Sequence, residues 1–269
     1  MNFFINDFGA YLLAFALSFM RTFAALTILP LFVFKQLRAA NVLKIAISAG
    51  LCVPIFVVTQ QEIMLRGQEN LTFTPFLIMK EAMIGLMIGY ILAVPFWIFR
   101  STGALIDNTR GALSAGYHNP AQGPDAAPLG DLMEKVVVVV LFATGVVPEM
   151  FKFIYLSHHY WPALDPFPVL HADSWKIFIE FFNHMTAQFV LYAGPVILVL
   201  LLVEAAFAFL GAYSPQLQVY FMAMPGKALA AVFLVTLYFQ TLVESIEVEG
   251  QYYFDLLNIF KGVFRITDE

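Results

Sequence analysis

The chain has 269 residues, of which 61% are apolar and only 12% are Lys, Arg, Asp or Glu, with a formal net charge of −5. That length would suit one or two water-soluble domains, but a mean hydropathy of +0.79 excludes them and makes the chain an integral membrane protein. No run of Lys or Arg is interleaved with aromatics in a polar setting, so nucleic acid is not an expected partner.

Six apolar stretches follow one another: Phe8–Phe34, Val42–Thr59, Phe76–Phe99, Leu132–Leu156, Met185–Ala212 and Ala228–Val243. They are long and uninterrupted rather than alternating, which predicts helices and not barrel strands. Each contains or touches a proline (Pro30, Pro54, Pro95, Pro148, Pro195 and Pro225). A proline frees a carbonyl and bends the axis, so kinked or broken helices are expected. Ala14-Phe15-Ala16 imitates a signal-peptide cleavage site, but Asp7 and the lack of Lys or Arg before it give the wrong leading charge, so the N-terminus is read as retained. Cys52, the one cysteine, lies in an apolar run and is read as an inert buried thiol.

The stretch from Glu81 to Met133 organises the rest. Ala82 to Phe99 is apolar throughout, with Gly85 and Gly89 at the four-residue spacing that lets two helices approach closely. From Arg100 to Pro128 the chain turns to Gly, Pro, Ala, Asn and Asp. A long small-residue loop between membrane helices costs ordering entropy and is usually functional.

Between the fourth and fifth stretches, Ser157–Ser174 carries His158, His159 and His171 with three prolines. Adjacent histidines on a helix do not point at one metal, so an exposed aromatic loop near the membrane boundary is the expectation, with Trp161 and Trp175 in an aromatic belt. Near the C-terminus, Ser245 to Glu269 has Tyr252, Tyr253, Leu256, Leu257, Phe260 and Phe264 at helical spacing. Glu249, Asp255, Asn258 and Lys261 fall on other faces, which describes an amphipathic helix that packs on a surface or a partner.

Charges inside apolar runs are costly, so Arg21, Glu81 and Glu204 are read as buried charge pairs, within the bundle or with a neighbouring subunit, ahead of a proton or ion relay, with Lys227 able to satisfy a carboxylate or a freed carbonyl. Pro215 and Pro225 bracket a segment read as a turn between two long helices, where Gln216 and Gln218 offer donors and acceptors to a partner in a dry interface. Flanking charges do not orient the chain. Lys35, Arg38, Lys44, Arg100, Arg110, Lys135 and Lys227 fall on one side, and Arg66, Lys80, Lys152, Lys176, Lys261 and Arg265 on the other. Such near-equality carries no positive-inside bias. No HExxH, Gly-x-Ser-x-Gly, Walker loop or cysteine pair is present, so neither an enzyme, a metal site nor a cofactor is expected.

Two separated blocks carry a family resemblance. The first runs from Glu81 and the glycine pair through Pro95-Phe96-Trp97, Gly103 to Ile106, Asp107, Arg110-Gly111 and Asn119-Pro120 to Pro128-Leu129-Gly130. The second is Ser214-Pro215-Gln216-Leu217-Gln218-Val219-Tyr220-Phe221 with Met224-Pro225-Gly226-Lys227. Together they resemble the FliR/SctT family, the T subunit of the type III secretion export apparatus, and its injectisome branch more than its flagellar one. The family usually has Asn where Gln218 stands.

The resemblance implies an all-α fold of about six kinked hydrophobic helices arranged as bent hairpins, plus the C-terminal amphipathic helix. It implies an N-terminal part, residues 1–180, similar to the R/P subunits and including a pore loop at 100–131. The C-terminal part, 181–269, would be a hairpin similar to the S/Q subunits. The protein would sit in the bacterial inner membrane and assemble with R and S subunits into a helical cone that exports unfolded proteins. The U/B-type switch subunit, the V/A-type export subunit and membrane lipid would be further neighbours. A plug closing the pore would be Gly111, Ala112, Leu113, Ser114, Ala115, Gly116, Tyr117, His118, Asn119 and Pro120. Gly85, Gly89, Gln216, Gln218, Pro225 and Lys227 would serve helix packing and assembly. The residues alone leave a second reading open, a small secondary transporter with broken helices around a midplane site.

Overall fold

The computed structural model describes residues 2–32, 40–66, 74–111, 127–165, 174–213 and 219–263. Those residues form seven α-helices: α1 Asn2–Ile28, α2 Ala40–Arg66, α3 Thr74–Arg110, α4 Pro128–Ala143, α5 Val146–Tyr160, α6 Ser174–Tyr213 and α7 Val219–Val263, with a short 3-10 turn at Pro30–Phe32. Five spans within them are long and apolar enough to cross a membrane: Gly9–Ile28, Asn41–Leu65, Pro75–Arg110, Phe178–Tyr213 and Met222–Tyr252. The pair α4 and α5 makes a sixth if it counts as one broken span. The protein is an all-α integral membrane protein.

The prolines act differently from one another. Helix continues through Pro54, Pro95, Pro195 and Pro225, as membrane helices allow when neighbours re-satisfy the freed carbonyl. Pro148 does break its stretch. With no N–H to offer Thr144, it ends α4 there, and Gly145 takes the left-handed conformation at φ 77° that lets the chain leave one helix and enter the next. Pro148 itself then sits in the first turn of α5, where its missing donor costs nothing.

Pro225 departs from expectation. It lies inside α7, which already begins at Val219, so it does not bound a turn; residues 214–218, Gln216 and Gln218 among them, fall outside the described residues. The amphipathic C-terminal segment is the continuation of α7 to Val263.

The chain divides into two compact units that interleave in sequence. The first takes α1, α2, α3 up to Ala93, α5 and the start of α6. Here α1 buries one stripe, Ala10, Ala14, Leu17, Arg21 and Ala25, at helical spacing, and on another face Phe15, Phe19 and Phe23 stack at four-residue steps with centroids 5.7 and 5.3 Å apart. Leu13, Leu17, Ile63, Leu77 and Ala163 close a shared core, and Ser18 donates to Thr59 at 3.2 Å between α1 and α2. The second unit takes α3 from Val94, α4, most of α6 and α7 to Tyr252. Burial separates the spans sharply: 67% of the α3 window is buried within the chain, against 11% for Phe178–Tyr213 and 22% for Met222–Tyr252. Many apolar side chains in these two windows, Leu198, Leu202, Leu229 and Phe233 among them, therefore face lipid or another chain.

Candidate functional site

In the first unit, Gly85 and Gly89 give α3 a flat edge against α1. A Cβ at Gly85 would lie 2.8 Å from Ala24 Cβ and press on the Arg21 carbonyl, and one at Gly89 would lie 2.6 Å from the Ala25 carbonyl oxygen. The contacts advance together along both helices, so α1 and α3 run parallel where they touch. Their partner is a helix of the same chain.

One turn before Gly85 the same edge carries Glu81. Its carboxylate accepts from Arg21 Nε at 2.6 Å and Arg21 Nη2 at 2.9 Å, a two-point pair with both side chains fully buried. Lys80 Nζ is 2.9 Å from the same carboxylate. The two cations also hold the end of α5: Arg21 donates to Ser157 Oγ at 3.3 Å and the Trp161 carbonyl at 2.9 Å, and Lys80 donates to the carbonyls of Ala163 at 2.7 Å and Asp165 at 2.9 Å. Lys80 also lies over the Trp161 ring, 5.4 Å from its centre. Cations at a helix C-terminus satisfy carbonyls that have no partner within the helix.

This corrects the reading of Ser157–Ser174 as an exposed loop. Helix α5 runs to Tyr160, Ala163 is buried, and Trp161 is half-buried and bonded through Nε1 to the Asp165 carbonyl; His159 and, beyond the segment, Trp175 are exposed, while 166–173 lie outside the described residues. The cause is the two cations, which pull the turn inward.

The second unit carries a seam between α3 and α4 that joins the helices on either side of residues 112–126. Arg100, Gly103, Asp107 and Arg110 recur at three- and four-residue steps, so they form one stripe of α3. Opposite them, α4 begins with Pro128 and has Ala127 at its cap position, with no side-chain cap of its own. Asp107 supplies it: Oδ2 accepts from the Leu129 N–H at 2.7 Å and the Gly130 N–H at 3.4 Å. Its other oxygen pairs with Arg110 Nη2 at 2.5 Å, and Asp107 is 1% exposed. A Cβ at Gly103 would lie 2.7 Å from the Gly130 backbone, and one at Gly130 would lie 2.9 Å from the Arg100 carbonyl. Arg100 reaches Asp131 and Glu134 at 3.6 Å each. Gly111 ends α3 with φ 87°, and Ala112 to Pro120 lie outside the described residues.

A third polar group joins α6 to α7. Glu249, 3% exposed, accepts from Tyr192 Oη at 2.8 Å and bonds His184 Nε2 at 2.9 Å. Tyr252 stacks on His184 at 5.1 Å and Phe99 on Tyr192 at 5.3 Å. Glu249 therefore belongs to a buried face, not the polar face assigned from helical spacing. Glu204 is 3.5 Å from Lys227 Nζ but more than half exposed, so that pair is a surface feature of the described chain. Gly226 meets the Phe207 ring, 2.7 Å from where its Cβ would be. Among the described residues no group of three or more His, Cys, Asp or Glu side chains comes together as a metal site.

The seam and the glycine edge involve the residues of the first sequence block, and comparison with known proteins gives that block its context. The family model "Bacterial export proteins, family 1" matches residues 12–251. The chain is 29% identical over 232 residues to "Yop proteins translocation protein T" of Yersinia pestis, covering 84% of this chain and 86% of that one. To "Surface presentation of antigens protein SpaR" of Shigella flexneri it is 28% identical over 205 residues, covering 72% and 78%. To "Flagellar biosynthetic protein FliR" of Bacillus subtilis it is 26% identical over 228 residues, covering 84% and 85%. Similarity is thus higher to the translocation and antigen-presentation proteins than to the flagellar one, which favours the injectisome branch. With a match over 240 consecutive positions, from 12 to 251, which takes in all or part of every described helix, the chain belongs to the bacterial export proteins, family 1, the FliR/SctT family.

Proposed function

We propose that this protein is the T subunit of a bacterial type III secretion export gate, lodged in the inner membrane of the secretion-system base. It assembles with R/P-type and S/Q-type subunits into a helical cone that passes unfolded substrate proteins, beside U/B-type and V/A-type subunits and lipid. Residues 1–180 play the R/P-like part and 181–269 the S/Q-like part. No catalytic step is assigned to it. The observation that carries this reading is the near full-length match to secretion proteins, 84% of this chain against 86% of the Yersinia protein. The exposed apolar faces of α6 and α7 support it, since they suit neighbouring membrane helices as well as lipid.

Purification from native membranes tests the assembly. The tagged chain is expected to bring down distinct small membrane proteins in fixed ratio. Recovery as a stable monomer or homo-oligomer would instead favour a self-sufficient transporter.

The pore plug is the finer part of the proposal. Gly111 to Pro120 holds Gly111, Gly116 and Pro120 with Tyr117 as its one aromatic, so it has little apolar area to bury and can be displaced at modest cost. Deleting Ala112 to Asn119 is expected to leave the complex assembled, because the α3–α4 seam lies outside the deletion, but to make the membrane conduct ions with export stalled. A tight membrane around a verified complex would remove the plug.

A further inference from the structure

The α3–α4 seam does more than pack two helices. An ordinary helix start is capped from its own preceding residue, whose side chain accepts the N–H groups two and three positions on. Here Ala127 has no such oxygen, and the two donors, Leu129 and Gly130, go to a carboxylate on the preceding helix. We propose that Asp107 is a positioning residue: it caps α4 from α3 and so fixes the spacing of the two helices that flank residues 112–126. The arrangement needs its neighbours. Gly103 and Gly130 have no Cβ at the crossing, which lets the backbones come close enough for one carboxylate to reach across. Arg110 neutralises the second oxygen, so Asp107 can be 1% exposed without carrying a lone buried charge. Pro128 opens α4 with a fixed backbone angle and no donor of its own, leaving the next two N–H groups for Asp107.

The consequence for export rests on the proposed reading of Gly111 to Pro120 as the pore plug. Stems locked by Asp107 would keep a fixed spacing, and a complex with a loosened seam would leak.

The test measures stem spacing and leakage separately, in the assembled complex. Spin labels are placed at Asn108→Cys on α3 and Lys135→Cys on α4, both exposed, in a Cys52→Ser background. With Asp107 present, one narrow distance distribution is expected. Asp107→Ala should lose that single peak and shift weight to longer distances. Asp107→Asn with Arg110→Gln keeps a capping oxygen without either charge and should stay close to the parent. Adding Ala127→Asp to Asp107→Ala rebuilds an ordinary cap on α4 and should not restore the distance. An unchanged distribution in Asp107→Ala overturns the proposal. So does full restoration by Ala127→Asp, which would make Asp107 a cap and nothing more, or broadening in the Asn/Gln pair equal to that of Asp107→Ala, which would assign the spacing to the ion pair. If distances broaden while conductance stays at the parental level, the seam stands and the plug reading falls. If conductance rises at unchanged distance, the positioning role falls and the plug reading stands.

Discussion

Replacing Glu81 with leucine is expected to be among the most damaging single changes in the chain, and worse than removing either cation that it serves. Glu81 contacts both cations, Arg21 at 2.6 Å and Lys80 at 2.9 Å. Glu81→Leu leaves two cations in a buried site. Removing one partner of a buried pair costs about 3–5 kcal/mol, because the survivor is desolvated without compensation. Arg21→Met is the milder change, since Glu81 keeps Lys80 as its counter-ion at 2.9 Å. The double change Arg21→Met with Glu81→Leu should lie between the two. Lys80 then loses its contact carboxylate, but it keeps the carbonyls of Ala163 and Asp165 and the face of Trp161. Thermal melting of the detergent-solubilised protein gives the order: wild type, Arg21→Met, the double variant, Glu81→Leu. If Glu81→Leu melted no lower than Arg21→Met, the counting of charges at this site would be wrong. Equal effects on melting with an isosteric Glu81→Gln would confine the role to packing.

This site also shows where sequence reasoning reaches and where it stops. Arg21 and Glu81 stand out because an isolated charge deep in an apolar run must have a partner, and each can be seen to need one. Lys80 is buried too, at 8% exposure, but it precedes Glu81 at the rim of a stretch and reads as a flanking cation. Position along the helix cannot say that its amine turns toward the end of α5, eighty residues later. Glu249 is a harder case. Helical spacing assigns it to a polar face by averaging over its neighbours, whereas its burial comes from His184 and Tyr192 on another helix. Asp107 gave a readable signal that spacing could have found: Arg100, Gly103, Asp107 and Arg110 form one stripe, and the matching glycine stands at Gly130, two residues after the proline that opens α4. The six hydrophobic stretches were legible because bilayer thickness sets their length and lipid forbids unpaired backbone. The break at Gly145 was placed by Pro148, but the continuation of helix through Pro54, Pro95 and Pro195 depends on what surrounds the freed carbonyls, and no local rule reports that.

The glycine edge of α3 makes the other large prediction, and here the competing magnitudes have opposite sign. In an open helix position, Gly→Ala is stabilising by roughly 0.5–1 kcal/mol, because alanine loses less backbone freedom on folding. Gly50, in α2, has nothing within 4 Å of where a Cβ would stand, so Gly50→Ala should be neutral or slightly stabilising and serves as the control. At Gly85 and Gly89 the new atom would meet backbone: the Arg21 carbonyl at one, the Ala25 carbonyl oxygen at 2.6 Å at the other. Backbone cannot rotate out of the way, so α1 and α3 must separate, and overpacking of this kind costs about 1–3 kcal/mol even for small additions. The penalty outweighs the propensity gain, so Gly85→Ala and Gly89→Ala should each lower the melting temperature. Leucine at both positions would push the helices apart by most of a side chain, tearing Glu81 from Arg21 one turn away, and should abolish recovery of the complex. Because the opposing helix belongs to the same chain, the loss should already be visible in the isolated subunit, before any partner is added. Ala24→Gly should recover part of the loss in Gly85→Ala, since Ala24 Cβ is one of the atoms in the way, and should do nothing for Gly89→Ala. Native melting and normal complex yield from Gly85→Leu combined with Gly89→Leu would show that α1 does not lie on this edge.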